Sequence, residues 1–308
     1  MKLNKLVAAS ALVFAGLSGQ AMATLTAADI AAGPFAVSTT PVVDVYLSGA
    51  SAPQNILGGL AAVLFSDGNA ATKDFFLAYD NAVSGAIGAS YRSYQGRLVA
   101  AQGTIPAGTM VRLTHRAKGG SVWGVDPVGR NQAIAYMPLT SANCINATGL
   151  PLPAGVAAHD WRCGEAGDDI AETGRRPDFG VSDVEPRMFK ETLNVEFGQF
   201  QLADPGVLTH FPVNGLLFGI PATAAVPATI NFTKARYHAL LTGGITSWTT
   251  LDSTITTRPQ VVICRRVQGS GTQASYNAYF NNFPCATGSV YGTGSTAPLR
   301  MQDSGDAY

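Results

Sequence analysis

Residues 261–283 read Val-Val-Ile-Cys-Arg-Arg-Val-Gln-Gly-Ser-Gly-Thr-Gln-Ala-Ser-Tyr-Asn-Ala-Tyr-Phe-Asn-Asn-Phe. Val261 to Cys264 have the length and composition of a buried strand. Arg265 and Arg266 follow, then Gly269-Ser-Gly-Thr272. Beyond these, Tyr276, Tyr279, Phe280 and Phe283 recur at helical spacing and define one apolar stripe. The order is strand, glycine-hydroxyl loop, helix. At such a helix start, exposed N–H groups and the positive end of the dipole meet Ser270, Thr272 and an arginine, which together suit a small anion. An ordinary N-cap beside a solvated arginine pair has the same local sequence, because Ser and Thr favour that position anyway. The rest of the chain has to decide between them.

The whole chain bounds the answer. It has 308 residues, 46% of them hydrophobic and 13% charged, with a formal net charge of zero. That is a core-forming chain of one large or two smaller domains. Zero net charge and the lack of a lysine-arginine run argue against a nucleic-acid partner, which needs a basic footprint. Gly (34) and Pro (17) are plentiful, as in loop-rich α/β or secreted proteins.

The same strand–loop–helix order occurs upstream. Val42 to Leu47 is strand-like, Ser48-Gly-Ala-Ser-Ala-Pro53 is a small-residue turn, and Gln54 to Phe65 has helical periodicity through Ile56, Leu57, Leu60, Val63 and Leu64. Short strands are expected at 75–79 and 91–101. Met110 to His115 is a further strand, running into Lys118-Gly-Gly-Ser-Val122. Asp178-Phe-Gly-Val-Ser-Asp183 is a short strand ending in an aspartate. Val213 to Ile220 reads as an apolar strand and Phe232 to Leu241 as a helix, closed by Gly243-Gly and followed by Trp248. Residues 127–176, rich in Pro, Gly and Asp, read as an insertion, and nothing after Cys285 reads as a core element. Strands alternating with helices indicate an α/β fold with a largely parallel sheet.

Four places thus share one chemistry: Ser48–Ser51, Ser121, Asp183, and Arg266 with Gly269–Thr272. Each lies where a strand gives way to a loop, which is where open α/β sheets bind ligands. Hydroxyls and amides donate to oxygens, and arginine adds a bidentate, permanently charged donor. A carboxylate among these donors repels an anion unless the anion carries a proton for it to accept. Phosphate at neutral pH does and sulfate does not, so Asp183 would select phosphate by leaving sulfate against an unpaired charge. A helix cap or surface aspartate is the plainer reading of Asp183.

The chain resembles the periplasmic phosphate-binding proteins that serve phosphate ABC transporters. The family's G-A-[TS]-x-P turn is matched by Gly49-Ala-Ser-Ala-Pro53, and its D-F-G-x-S-D segment by Asp178 to Asp183. The helix ending L-T-G-x-I-T-x-W is matched by Leu241 to Trp248, and the R-x-x-G-S-G-T loop by Arg266 to Thr272. The four matches fall in the family's order over residues 45–280. The resemblance implies a type II periplasmic-binding fold, two α/β lobes joined by a hinge and closing over one dehydrated oxyanion. The lobes are expected at 24–205, with the insertion at about 127–176, and at 206–308. By motif position the ligand contacts would be Ser51, Ala52 through its backbone N–H, Ser121, Asp183, Arg266, Ser270, Gly271 and Thr272. The implied function is capture of inorganic phosphate for a membrane permease, without catalysis, cofactor or metal.

Three departures accompany the match. Gln268 stands where the family carries an aspartate that braces the loop arginine. The insertion is long for a plain transporter component. The family also continues past the loop helix, so the second lobe is expected to be incomplete, through C-terminal truncation. A secreted relative acting in scavenging, adhesion or surface assembly without a transporter is the alternative reading. A hydrolase is a further one, because Gly49-Ala-Ser51 resembles a nucleophile elbow. Its triad would need one of His115, His159, His210 or His238, none of which sits in a motif.

Compartment is read from the ends and the cysteines. Met1-Lys-Leu-Asn-Lys5, an apolar run from Leu6 to Leu17 and Ala21-Met-Ala23 have the form of a secretory signal peptide over residues 1–23. The run is shorter than the roughly 20 residues that cross a bilayer. A periplasmic or secreted location suits Cys144, Cys163, Cys264 and Cys285, since disulfides persist outside the cytosol. Of the three possible pairings, Cys144–Cys163 and Cys264–Cys285 each close a local loop. No C-x-x-C occurs, which argues against zinc.

Overall fold

A computed structural model describes residues 25–35, 42–66, 74–81, 87–147, 158–164, 174–189, 205–257, 259–266, 269–282 and 299–302. The expected signal peptide, Gln268 and Cys285 lie outside the described residues. The chain divides into two compact units, Met1–Val181 and Ser182–Tyr308.

The first unit is built on one sheet. Its elements in order are α1 (Ala27–Ala32), β1 (Val43–Gly49), α2 (Gln54–Phe65), β2 (Phe75–Asn81), β3 (Ile87–Arg97) and β4 (Met110–Arg116). A 3-10 turn over Ser121–Gly124 follows, then α3 (Asp126–Gly129), β5 (Cys144–Ala147), β6 (Ala158–Cys163) and β7 (Phe179–Val181). The seven strands lie in the order β5-β6-β2-β3-β4-β1-β7. β1 pairs parallel with β4 and β7, and β2 parallel with β6, whereas β2–β3, β3–β4 and β5–β6 are antiparallel. The sheet is therefore mixed rather than largely parallel, because β3 turns back between β2 and β4. The region read as an insertion supplies β5 and β6, and β6 is hydrogen-bonded along β2. It completes the sheet instead of being added to it.

Alternation along the strands sorts the two faces. On one face Val111, Leu113, Tyr94, Leu77 and Phe75 pack under Leu57, Ala61 and Phe65 of α2. Each fully buried large side chain here contributes about 1.5–3 kcal/mol. The buried stripe of α2 is thus Leu57–Ala61–Phe65, while Val63 is exposed. Gly96 is needed beneath it, since a Cβ there would meet Phe65 Cγ at 2.6 Å. The opposite face carries polar pairs as well as apolar ones. Ser93 and Thr114 hydroxyls lie 3.2 Å apart across β3 and β4. Arg116 is fully buried, its guanidinium 4.4 Å from the Trp123 ring centre and its Nη1 donating to Tyr91 Oη and the Ala135 carbonyl at 3.0 and 3.1 Å. The Nη1 hydrogen bonds and the Trp123 ring offset part of the cost of burying this charge.

Two fasteners hold the margins. Cys144 and Cys163, directly opposite in β5 and β6, form a disulfide, as the local-loop pairing predicts. Thr26 and Asp29 form a reciprocal capping box on α1. Asp29 also accepts from Arg97 Nε and Nη2 at 2.9 and 2.8 Å. Burial alone would raise the Asp29 pKa, but the hydrogen bonds from Arg97 and Thr26 outweigh it and bring it down to about 2.

The second unit has less regular structure. It contains 3-10 turns at Pro186–Phe189, Pro205–Val207 and Trp248–Thr250, with α4 (Lys234–Leu241), β8 (Val262–Arg265), α5 (Gly271–Asn281) and β9 (Leu299–Gln302). Tyr237, Leu240 and Leu241 of α4 pack with Val261, Tyr276 and Phe280, and the Tyr237 and Phe280 rings approach to 4.5 Å. Gly243 (φ +80) ends α4 as expected of a glycine stop. Two expectations are corrected. Val213–Ile220 forms no strand: it is irregular, with Val213 and Leu217 exposed, because Gly215 and Gly219 interrupt it and no described strand edge pairs with it. And an element does follow Cys285, since β9 pairs parallel with β8.

Candidate functional site

In the first unit the candidate residues gather at the carboxyl end of β1. Gly49 adopts φ +123, and a Cβ on it would land on the Val181 carbonyl oxygen. Gly124 and Gly180 are as close, so three glycines let the ends of β1 and β7 and the 121–124 turn touch backbone to backbone. Ala50 N–H donates to Val181 O at 2.8 Å, and Ser48 Oγ donates to Trp123 O at 2.7 Å. Beyond this clasp the chain turns outward. Ser51 and Ala52 are exposed, and α2 then starts from Pro53 without a side-chain cap. Ser121, after Gly119 and Gly120 at φ +89 and +78, is buried. Ser51, Ala52 and Ser121 thus share one end of the sheet, the first two facing solvent and the third within the protein.

In the second unit, β8 runs into Arg266 and α5 begins at Gly271, so the strand–loop–helix reading of 261–283 is what the chain adopts. Ser270 is the N-cap: its Oγ accepts from Gln273 N–H at 3.3 Å. Gln273 Oε1 accepts from Arg266 N–H at 3.0 Å, and its Nε2 donates to Asn277 Oδ1 at 3.1 Å. Gln273, which sequence reasoning passed over, thereby ties the arginine's backbone to the first turn of α5. Its helical spacing to Tyr276 and Phe280, three and seven residues on, was the available signal for a polar group on the packed face. Gly271 and Thr272 occupy the first two helical positions, whose N–H groups have no intrahelical acceptor. With the Ser270 oxygen accepting from Gln273, its O–H proton is not used by that bond. Ser270, Gly271 and Thr272 therefore share the start of α5, and Arg266 is tied to it through its backbone N–H. Asp183 is half-buried in the bend after β7, where Ser182 Oγ donates to Val184 O at 2.6 Å.

A groove of about 1140 Å³ in the second unit opens beside this loop, walled by Leu241, Trp248, Val261, Ile263 and Tyr276 and bordered by Arg266 and Thr272. Arg266 is the charged group among its described wall residues. No group of three or more His, Cys, Asp or Glu among the described residues could hold a metal ion, and no described helix is long and apolar enough to cross a membrane.

A second polar cluster, in the first unit, was not legible from motifs. His115 of β4 faces Arg92 of β3 in register and is buried to 1% exposure. Burial, with the Arg92 charge beside it, pushes the His115 pKa down to about 4. Comparison with models of known families, with characterised proteins and with solved structures finds no match.

Proposed function

We propose that this chain is an exported solute-binding protein of the periplasmic-binding type that takes inorganic phosphate, for delivery to an ABC permease in the inner membrane. The observation that supports the reading is the start of α5, where Ser270 caps the helix, Gly271 and Thr272 occupy its first turn, and Gln273 ties the Arg266 backbone to that turn. A helix N-terminus with an arginine suits a doubly charged oxyanion. Asp183 is the group that would accept the ligand's proton. The Cys144–Cys163 disulfide is compatible with an extracytoplasmic location.

Calorimetric titration of the mature protein with phosphate, arsenate and sulfate tests this. Phosphate and arsenate should bind with micromolar or tighter affinity and sulfate should not, with no turnover. Arg266→Gln should weaken phosphate binding by about 10–100-fold, the usual worth of a charged hydrogen-bond partner. Asp183→Asn should admit sulfate. Absence of phosphate binding, or equal binding of sulfate by the unaltered protein, would overturn the assignment.

A further inference from the structure

The α2-covered face of the sheet can be read row by row. Phe65, at the end of α2, sits over Gly96. One row on, Tyr94 Oη donates to Gln54 O in the first turn of α2 at 3.4 Å, and a Cβ on Gly58 would meet that hydroxyl at 3.6 Å. One row further on the same face come Leu47, His115, Arg92, Tyr79 and Arg162, each in register with the next. Since α2 runs antiparallel to β1, this row lies beneath the helix's N-terminal end. Arg92 also reaches the Tyr94 hydroxyl, which ties it to the same turn.

The chemistry of the row is one-sided. Both ring nitrogens of His115 and Nε of Arg92 are buried and meet no hydrogen-bond partner among the described residues. Buried polar atoms are paired in the great majority of cases, so a cluster of three asks for an occupant. The nearby charges are Arg92, Arg162 and Asp160, the last one row back on β6 and felt, like Arg162, by Tyr79. Among the described residues, two arginines against one aspartate leave the row net positive. At neutral pH His115 is uncharged, with one N–H donor and one lone pair to offer. Above it, α2 starts without a side-chain cap, its Gln54 N–H held by the Ser51 carbonyl, and presents the positive end of its dipole.

We propose that Arg92 and His115, under the N-terminal turn of α2, form an oxyanion subsite of the first unit. Arg92 supplies the charge that attracts the anion. The neutral imidazole supplies one donor and one acceptor, which fits a protonated oxyanion such as hydrogen phosphate better than a bare one such as sulfate. The subsite deepens the phosphate reading and rests on it for the identity of the anion, but its residues lie outside the motif positions and outside the second unit.

The test is NMR of the full-length mature chain labelled with nitrogen-15 in its histidines, of which there are four. Inorganic phosphate and sulfate are the probes, and calorimetry runs in parallel. Phosphate should shift the His115 ring nitrogens in the unaltered protein and in Arg266→Gln, whereas Arg92→Gln should abolish the shift and weaken phosphate binding by about 10-fold or more. A chain that binds phosphate by calorimetry while His115 stays unmoved refutes the subsite and leaves the phosphate reading intact. A His115 shift that needs Arg92, in a chain whose binding ignores Arg266 and Asp183, upholds the subsite and refutes the other assignment. No response to either anion by either method refutes both. Because the first readout uses the unaltered protein, misfolding of Arg92→Gln does not decide the outcome.

Discussion

Gly180→Ala should be among the most damaging single-methyl changes available in the first unit. Its added Cβ would fall on the carbonyl oxygen of Gly124, and backbone, unlike the end of a side chain, has no rotamer to escape into. The strand must move instead. β7 is joined to β1 through three register pairs, Leu47–Phe179, Ser48–Gly180 and Gly49–Val181, and Gly180 is the middle one. Overpacking of this kind costs about 1–3 kcal/mol. Losing the ladder bonds on either side adds about 1 kcal/mol each, for a total of about 3–5 kcal/mol. Gly59→Ala is the matched control. Gly59 lies inside α2 with nothing within 4 Å of a built Cβ, so the same methyl should stabilise by about 0.5–1 kcal/mol through helix propensity. Urea unfolding followed by tryptophan fluorescence would report both, since Trp123 is buried beside the clasp. The midpoints should move in opposite directions. A Gly180→Ala protein within about 1 kcal/mol of the parent would show that the clasp yields cheaply, and the reasoning from backbone contact would fail.

The remaining expectations concern covalent and proton linkage. Replacing Cys144 and Cys163 together by alanine opens a loop spanning 19 residues, for which chain entropy gives a loss of about 3 kcal/mol; a urea midpoint unchanged by the double substitution would count against a stabilising role. Acid should act in two windows, measured in phosphate-free buffer. His115 takes a proton near 6.5 when unfolded but only near 4 when folded, so the unfolded state binds more protons between these values and stability falls by about 3 kcal/mol as pH drops through them. Asp29, depressed from 3.8 to about 2, contributes stability that is present above pH 4 and lost below it, worth about 2 kcal/mol. His115→Gln should flatten the upper window and leave the lower one; persistence of the upper slope in that variant would assign it to another group.

What could be read from sequence was what local chemistry decides. α2 begins and ends where periodicity puts it, because Pro53 and Ser66 flank a run whose apolar spacing outweighs the Gly58-Gly59 pair within it. Its buried stripe was misjudged, since Ala61 carries no hydrophobic signal of its own yet sits at the centre of the contact, while the bulkier Val63 faces out. Cys144–Cys163 was legible because nineteen residues separate partners that have little choice. Long-range pairing was not legible. β6 reads as Ala-His-Asp-Trp-Arg-Cys, too polar to announce a central strand, and only its register with β2 makes it one. Val213–Ile220 erred the other way: eight residues of the right composition form a strand only if an edge receives them. Of the site, the α5 loop was visible as a motif, but the Gln273 brace and the Arg92–His115 pair depend on neighbours that sequence spacing does not reveal.

The placement of β1 has a consequence for the order of assembly. It is the first strand to be synthesised, yet its side chains and backbone reach across 68 residues to β4, where Asp44 meets Arg112, and across 132 to the β7 margin, where Tyr46 meets Asp178. At ribosomal rates of about 5–20 residues per second, its last neighbour arrives on the order of ten seconds after it does. Until then β1 has one edge unsatisfied and the glycine clasp has nothing to close on. An amino-terminal fragment that stops short of Val181 therefore holds an unfinished sheet, open along the free edge of β1.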